Sequence, residues 1–412
     1  VERYDVIVAG GGSAGVAAAV GAARTGARVL LIERGPCLGG AATLRNVLTY
    51  CGLYTRADPP VQAVYGIADE VLHGLRAMDA VTEPTRFTSI AVVFDPEAVK
   101  CVLDELCARA GVDVRLHSQL IAARRVGATV RSVRLADHQG IHTIGAAAFV
   151  DATGEADLAA FAGAAVRYGN DGRVQNGTLG VRFGGVRPDA DLSRGTVAAA
   201  LTPARSTDID VACGLVARLP VSGDVIAYLI DEGYDARDAL DTSRAQIRSR
   251  RRARTYLRVL RGVNGWAGAH IVSTGPEIGT RESRHLVGRY QLSGHEILSG
   301  RRFQDVIGLG TWPAEYHGMS GEPAEWQFIA DDGHYDIPLR ILRSADTGNL
   351  FGAGRVVDGD RQAGASLRVM GTAFATGQAA GVAAALVAAT PAELSPTAVQ
   401  RELLAQGAWL GE

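Results

Sequence analysis

Lysine is almost missing from this chain: Lys100 stands alone against 41 arginines. We attribute that bias to GC-rich coding before any function. Cysteine is sparse. Cys37, Cys51, Cys101, Cys107 and Cys213 include no C-x-x-C pair and no metal-ligand spacing, so no metal site and no dithiol centre is expected. A reduced, cytoplasmic protein fits that pattern. A net charge of −2 gives no electrostatic reason to expect nucleic acid. Gly, Arg or Glu breaks the longest apolar stretches before about 18 residues, so no membrane span is predicted. The first strand begins too early to leave room for a signal peptide. There is no H-E-x-x-H and no Walker loop, which leaves zinc-enzyme and ATPase readings without support. At 412 residues, with 47% apolar and 21% charged, the chain is an ordinary globular one, long enough for two interleaved domains.

What is present is a strand, YDVIVAG, a glycine turn, GGGSAG, a small-residue helix and a second strand ending on Glu33. Gly10, Gly12 and Gly15 give the G-x-G-x-x-G spacing of a dinucleotide site. The first glycine makes the tight turn, the second admits a diphosphate to the backbone, and the third lets helix and strand pack closely. The diphosphate then meets the free N–H groups of the helix N-terminus, whose partial positive charge suits an anion. Glu33, at the end of the next strand, is placed to accept the ribose hydroxyls. A lone glycine triplet would be an accident in so glycine-rich a chain; strand, helix and acid together make it a site. FAD and NAD sites share this motif.

The loop from Arg34 through Gly39, Gly40 and Thr43 lets backbone approach a ligand anchored next door. Residues 61–79 read as an amphipathic helix, and 95–110 as another, with Pro96 in its first turn and Gly111 past its end. VDVRLHSQLIAARRV and TVRSVRLA alternate as a strand pair, and GAAAFVDATGEADLAAFAG reads as a buried strand breaking at Gly154 before a helix. SRAQIRSRRRARTYLRVLRG is a basic helix, read as a solvated face rather than an anion-binding one because the whole chain is near neutral. NLFGAGR is a short buried strand. After it comes a helix of Gly, Ala and Thr, whose small residues permit a close approach to another element and whose N-terminus is again electropositive. A ligand held between the two ends of the chain follows.

These segments, GGGSAG with Glu33, LGGAAT, DATGEADLAAFAG and GAGRVVDGDRQAGASLRVMGTAFATGQAAGVAAAL, together with GTRESRHLVGRYQLSGHEI and FQDVIGLGTWPAEYHG, resemble the FAD-dependent oxidoreductases of the glutathione-reductase-like, two-dinucleotide-binding-domain superfamily, in particular the bacterial group named simply FAD-dependent oxidoreductase. The resemblance implies an α/β fold: a Rossmann-like FAD-binding domain (1–60, 94–185 and 335–395) with an interleaved α+β substrate or cap domain (61–93 and 186–334). It implies noncovalent FAD, with Gly10, Gly12 and Gly15 under the diphosphate, Glu33 on the ribose, and Arg34, Gly40, Thr43 and Gly154 beside the cofactor. Gly354 and Arg355 would stand where many relatives place a ribityl-binding acid, and Met370, Gly371 and Thr372 would face the flavin pyrimidine carbonyl. A small-molecule substrate, no nucleic-acid or membrane partner, and a monomer or homodimer are expected.

The flavin would carry the redox step, leaving the protein to orient substrate and move a proton. Glu315, Tyr316 and His317 are the leading acid/base group, with His317 first because histidine exchanges protons near neutral pH. A structural histidine bonded to backbone is the competing reading. Arg281, Arg284 and His285 either grip an anionic substrate group or pair with Glu282 or Glu296 and tie domains together. The expected activity is hydride transfer between flavin and a small organic molecule; a flavin monooxygenase and a non-catalytic dinucleotide-binding protein are the alternatives.

Overall fold

The apolar run at the start of the chain becomes the middle of a seven-stranded sheet in the computed structural model, which describes residues 2–211, 214–318, 323–390 and 394–411. The strand order is Asp113–Arg115, Val29–Ile32, Glu2–Ala9, Gly140–Asp151, Thr129–Asp137 and Gln119–Val126. Leu350–Gly352 adds in parallel beside the end of Gly140–Asp151, and the last three strands of the order form an antiparallel meander. The fold is α/β with a Rossmann-like parallel sheet. Because side chains alternate across a strand, Val6, Val8 and Leu31 join one hydrophobic cluster while Ile7, Leu30, Ile32 and Phe149 join a second on the other face. Both faces are covered, so the parallel strands are apolar throughout rather than alternating.

Helices Ser13–Arg24, Ile67–Ala77, Pro96–Arg109 and Met370–Ala389 share the first cluster. Asp95 caps the third of them by accepting from Glu97 and Ala98 backbone N–H. The helix expected over 61–79 is confined to Ile67–Ala77 because Gly66, at φ +67°, turns the chain just before it. Residues 67–77 and 90–93, which the sequence reading assigns to the cap, share a hydrophobic cluster with the central sheet and with Ala217, Ile226 and Leu292. Met370–Ala389 corrects a second expectation: by length and composition it could cross a membrane, since no charge interrupts it. Here it is mostly buried, against the first helix and the sheet.

A four-stranded antiparallel sheet, in the order Val216–Arg218, Val225–Glu232, Gly177–Gly184 and His270–Thr274, lies over a third cluster. The basic helix Ala239–Leu260 buries Ala253, Tyr256 and Leu260 there. Arg252 is its one deeply buried arginine among the described residues, paired with Asp210 and Glu232, while Arg244, Arg250, Arg251, Arg254 and Arg258 face solvent. Cys213 lies outside the described residues.

Candidate functional site

The glycine turn is built as its spacing requires. Gly10 has φ +99°, and a Cβ there would sit 2.3 Å from Ala152 O; one on Gly15 would sit 1.7 Å from Gly10 O. Gly12 is different: the nearest atom to a Cβ would be Gly40 Cα at 3.8 Å, so the space before it is open to a ligand. The helix that starts at Ser13 has no side-chain cap, and Ser13 Oγ is buried without a partner. Glu33 Oε2 accepts from Gly11 N–H and Oε1 from Gly35 N–H, each at 2.7 Å. It braces the turn and keeps lone pairs for further donors. Gly39 N–H donates to Gly11 O, so the loop after Glu33 and the glycine turn form one cradle, in which Gly40 takes φ +54°.

Other residues named from sequence have partners of their own. Thr43 Oγ1 donates to Leu38 O at 2.7 Å, and Arg34 pairs with Glu277. Gly154, at φ +79°, leaves room for the Arg355 guanidinium, which is paired with Glu155; burial lowers the pKa of Arg355. Gly354, at φ +72°, lies against Ala14, and its N–H donates to Thr376 Oγ1. Met370, Gly371 and Thr372 form the first turn of the late helix, which has no side-chain cap, and Thr372 Oγ1 is buried and unpartnered. Two uncapped helix N-termini, an open glycine and two orphaned hydroxyls suit a cofactor with diphosphate and ring acceptors.

Glu315 and His317 stand two residues apart at the end of strand Ala314–Tyr316, so their side chains share a face. Glu315 Oε1 lies 3.1 Å from His317 Nε2, and Asp231 Oδ2 lies 3.3 Å from Nδ1. Arg281 donates to Asp231 Oδ1 at 2.9 Å, Arg368 donates to Glu315 O at 3.0 Å, and Trp312 Nε1 donates to Glu315 Oε2 at 3.1 Å. Burial alone would raise the Glu315 pKa, but the hydrogen bond and charge of His317, with Arg368 and Arg281, hold it at about 2. Burial likewise opposes the charge on Asp231, and Arg281 and His317 carry its pKa below the usual carboxylate range.

Glu315, His317, Asp231, Arg281, Arg355, Arg368 and Met370 all line one cavity of about 780 Å³. Its walls include Phe87, Tyr228, Trp312 and Trp326, and it lies between the strands Thr49–Cys51 and Ile90–Val93 and the four-stranded sheet. Three residues named as candidates from sequence, Tyr316, Arg284 and His285, do not line it. Tyr316 falls on the opposite side of its strand, where its ring packs under the Arg361 guanidinium. Arg284 donates to Glu155 O and pairs with Asp157, and His285 is buried between Glu282 and Val357 O, so both tie segments together. Sequence reasoning missed Asp231 and Arg368. Asp231 stands beside Glu232 at the end of an apolar strand, a faint signal, and Arg368 lies just ahead of the late helix with nothing to mark it.

Residues 5–403 match the family described as FAD dependent oxidoreductase. No curated protein matches. Among solved structures, OxyS anhydrotetracycline hydroxylase from Streptomyces rimosus is 15% identical over 98% of this chain and 66% of its own, with a TM-score of 0.50. BexE, studied for oxidation during BE-7585A biosynthesis, is 16% identical over 98% of this chain and 69% of its own, with a TM-score of 0.50. A geranylgeranyl bacteriochlorophyll reductase-like protein from Thermoplasma acidophilum is 16% identical over 97% and 82%, with a TM-score of 0.48. At these identities the likeness is one of fold.

Proposed function

The chain belongs to the FAD dependent oxidoreductase family and is an enzyme with FAD as its cofactor, and from that premise we propose that it exchanges a hydride with a small organic molecule held in the 780 Å³ cavity. The observation that carries this reading is that Met370, at an uncapped helix N-terminus, and the Glu315–His317 pair are walls of the same cavity. FAD, when bound, supplies the two-electron acceptor or donor. Gly10, Gly12, Gly15 and the first turn from Ser13 would hold its diphosphate, and Glu33 its ribose. The N–H groups at Met370–Thr372 would face the flavin pyrimidine, where they favour added negative charge. Phe87, Tyr228, Trp312 and Trp326 exclude water and give the substrate an apolar seat. His317, the acid/base residue, holds or takes the proton that must move with the hydride, and Glu315 orients its ring through Nε2.

The test is anaerobic mixing of the flavin-loaded protein with a panel of small alcohols, amines and carbonyl compounds, following the visible band of oxidised flavin. One class should bleach it or, from the reduced side, restore it. His317→Ala should slow that step by roughly 10² to 10⁴, the usual range for a lost acid/base group, with FAD content unchanged. A variant as fast as the parent removes His317 from the chemistry. OxyS is named a hydroxylase; if the product here gains an oxygen atom from O₂, the reading becomes that of a monooxygenase.

A further inference from the structure

His317 is reached from two sides. Its Nε2 faces Glu315 Oε1 at 3.1 Å on its own strand, and its Nδ1 faces Asp231 Oδ2 at 3.3 Å, at the end of strand Val225–Glu232 in the four-stranded sheet. An ionised carboxylate only accepts, and a neutral imidazole has a single N–H, so only the doubly protonated ring can donate to both. Besides Trp312, whose Nε1 donates to Glu315 Oε2, the groups bonded to the two carboxylates are cations. Arg281 holds Asp231 Oδ1 at 2.9 Å while donating to Asn176 O at 2.8 Å, and Arg368 lies 3.4 Å from Glu315 Oε2. The segment leading into strand Gly177–Gly184 also grips the backbone of His317: Gln175 Oε1 accepts from its N–H at 3.2 Å, and Asn176 N–H donates to its carbonyl at 3.0 Å.

We propose that Asp231 is a positioning residue that holds His317 as an imidazolium bridging two carboxylates, so that the charge of the acid/base group is set from the four-stranded sheet as well as from its own strand. Arg281 keeps Asp231 aimed and ionised by occupying its second oxygen. With Nδ1 tied to Asp231, the ring cannot turn, and the proton shared with Glu315 stays at the cavity wall. This rests on the acid/base reading of His317 given above, but its test needs no turnover.

The experiment uses the full chain with FAD bound and histidine labelled with nitrogen-15, whose chemical shift reports whether each ring nitrogen carries a proton. The His317 signals are identified by their loss in His317→Gln. At about pH 7 the wild type should show protons on both ring nitrogens. Asp231→Asn should raise the ratio of singly to doubly protonated ring by roughly tenfold or more, the effect of removing an opposite charge at such a distance, and Asp231→Glu should restore it. A wild-type ring with a single protonated nitrogen overturns the proposal, and that measurement needs no variant to fold. An Asp231→Asn ratio equal to that of the wild type overturns it as well. Either result leaves the hydride-transfer reading standing, and a protein that reduces nothing in the panel leaves the bridge standing.

Discussion

Glu315 and Asp151 are both carboxylates withdrawn from water, and their surroundings push them in opposite directions. Burial raises both. At Glu315 the cationic neighbours prevail and the pKa falls from 4.5 to about 2. Asp151 has only neutral donors, the N–H groups of Ala159 and Thr153 and the Thr153 hydroxyl, so burial prevails and its pKa rises from 3.8 to about 6. The depressed group stabilises the fold above its unfolded value and loses that contribution as pH falls from 4.5 through 2. Glu315→Gln should therefore cost about 3 kcal/mol at neutral pH and flatten the acid limb of a urea-unfolding series. The raised group acts the other way: its contribution is complete below 3.8 and is lost as pH rises through 6. Asp151→Asn should change less in stability between those values than the wild type does, measured in the same series. The Glu315–His317 spacing was legible because two residues apart on a strand share a face. Tyr316 between them falls on the other side of the strand for the same reason, and Asp231, 86 positions away, could be joined to His317 only by the fold.

Two helices, Ser13–Arg24 and Met370–Ala389, pack backbone against backbone. A Cβ on Gly381 would fall 1.9 Å from Ala18 O, and one on Gly377 would fall 2.2 Å from Ala14 O. Backbone cannot yield as a side-chain tip can. Gly381→Ala should push the helices apart and cost about 1 to 3 kcal/mol, the range for overpacking a tight core, measured by thermal or urea unfolding against a surface control such as Gly195→Ala, where nothing lies near an added Cβ. Sequence showed that the late helix was narrow enough to approach something closely. It did not name the partner, because small residues carry no address. The elements read well were those with a local signature: the strand, turn and helix of residues 2–24, the capped helix at Pro96 and the strand pair Gln119–Val126 and Thr129–Asp137, although Asp113–Arg115, read as part of that pair, joins the opposite edge of the sheet. The placement of residues 61–93 was not local, since their apolar faces suit either layer.

At the scale of the whole chain, the parallel sheet brings Leu350–Gly352 beside a strand made two hundred residues earlier, and so sets the late helix next to the first glycine turn. The α/β class followed from the resemblance, whereas the four-stranded sheet did not, because residues 186–265 carry weak periodicity. Glu33 tests the cofactor side of this arrangement. Glu33→Gln sets an amide NH₂ against one of the two backbone N–H groups it now receives. FAD retention after dialysis should fall by about 1.5 to 3 kcal/mol in binding, the cost of unmet charged hydrogen bonds, and unchanged occupancy would count against its ribose role. The two uncapped helix N-termini also have a place in time. A ribosome makes the chain from the N-terminus, so Ser13 and its glycine turn leave the exit tunnel before Met370, which follows only after every strand of the seven-stranded sheet has been made. Until then the nascent protein has one jaw of a two-jawed clamp. A chain cut short before Met370 lacks the second jaw.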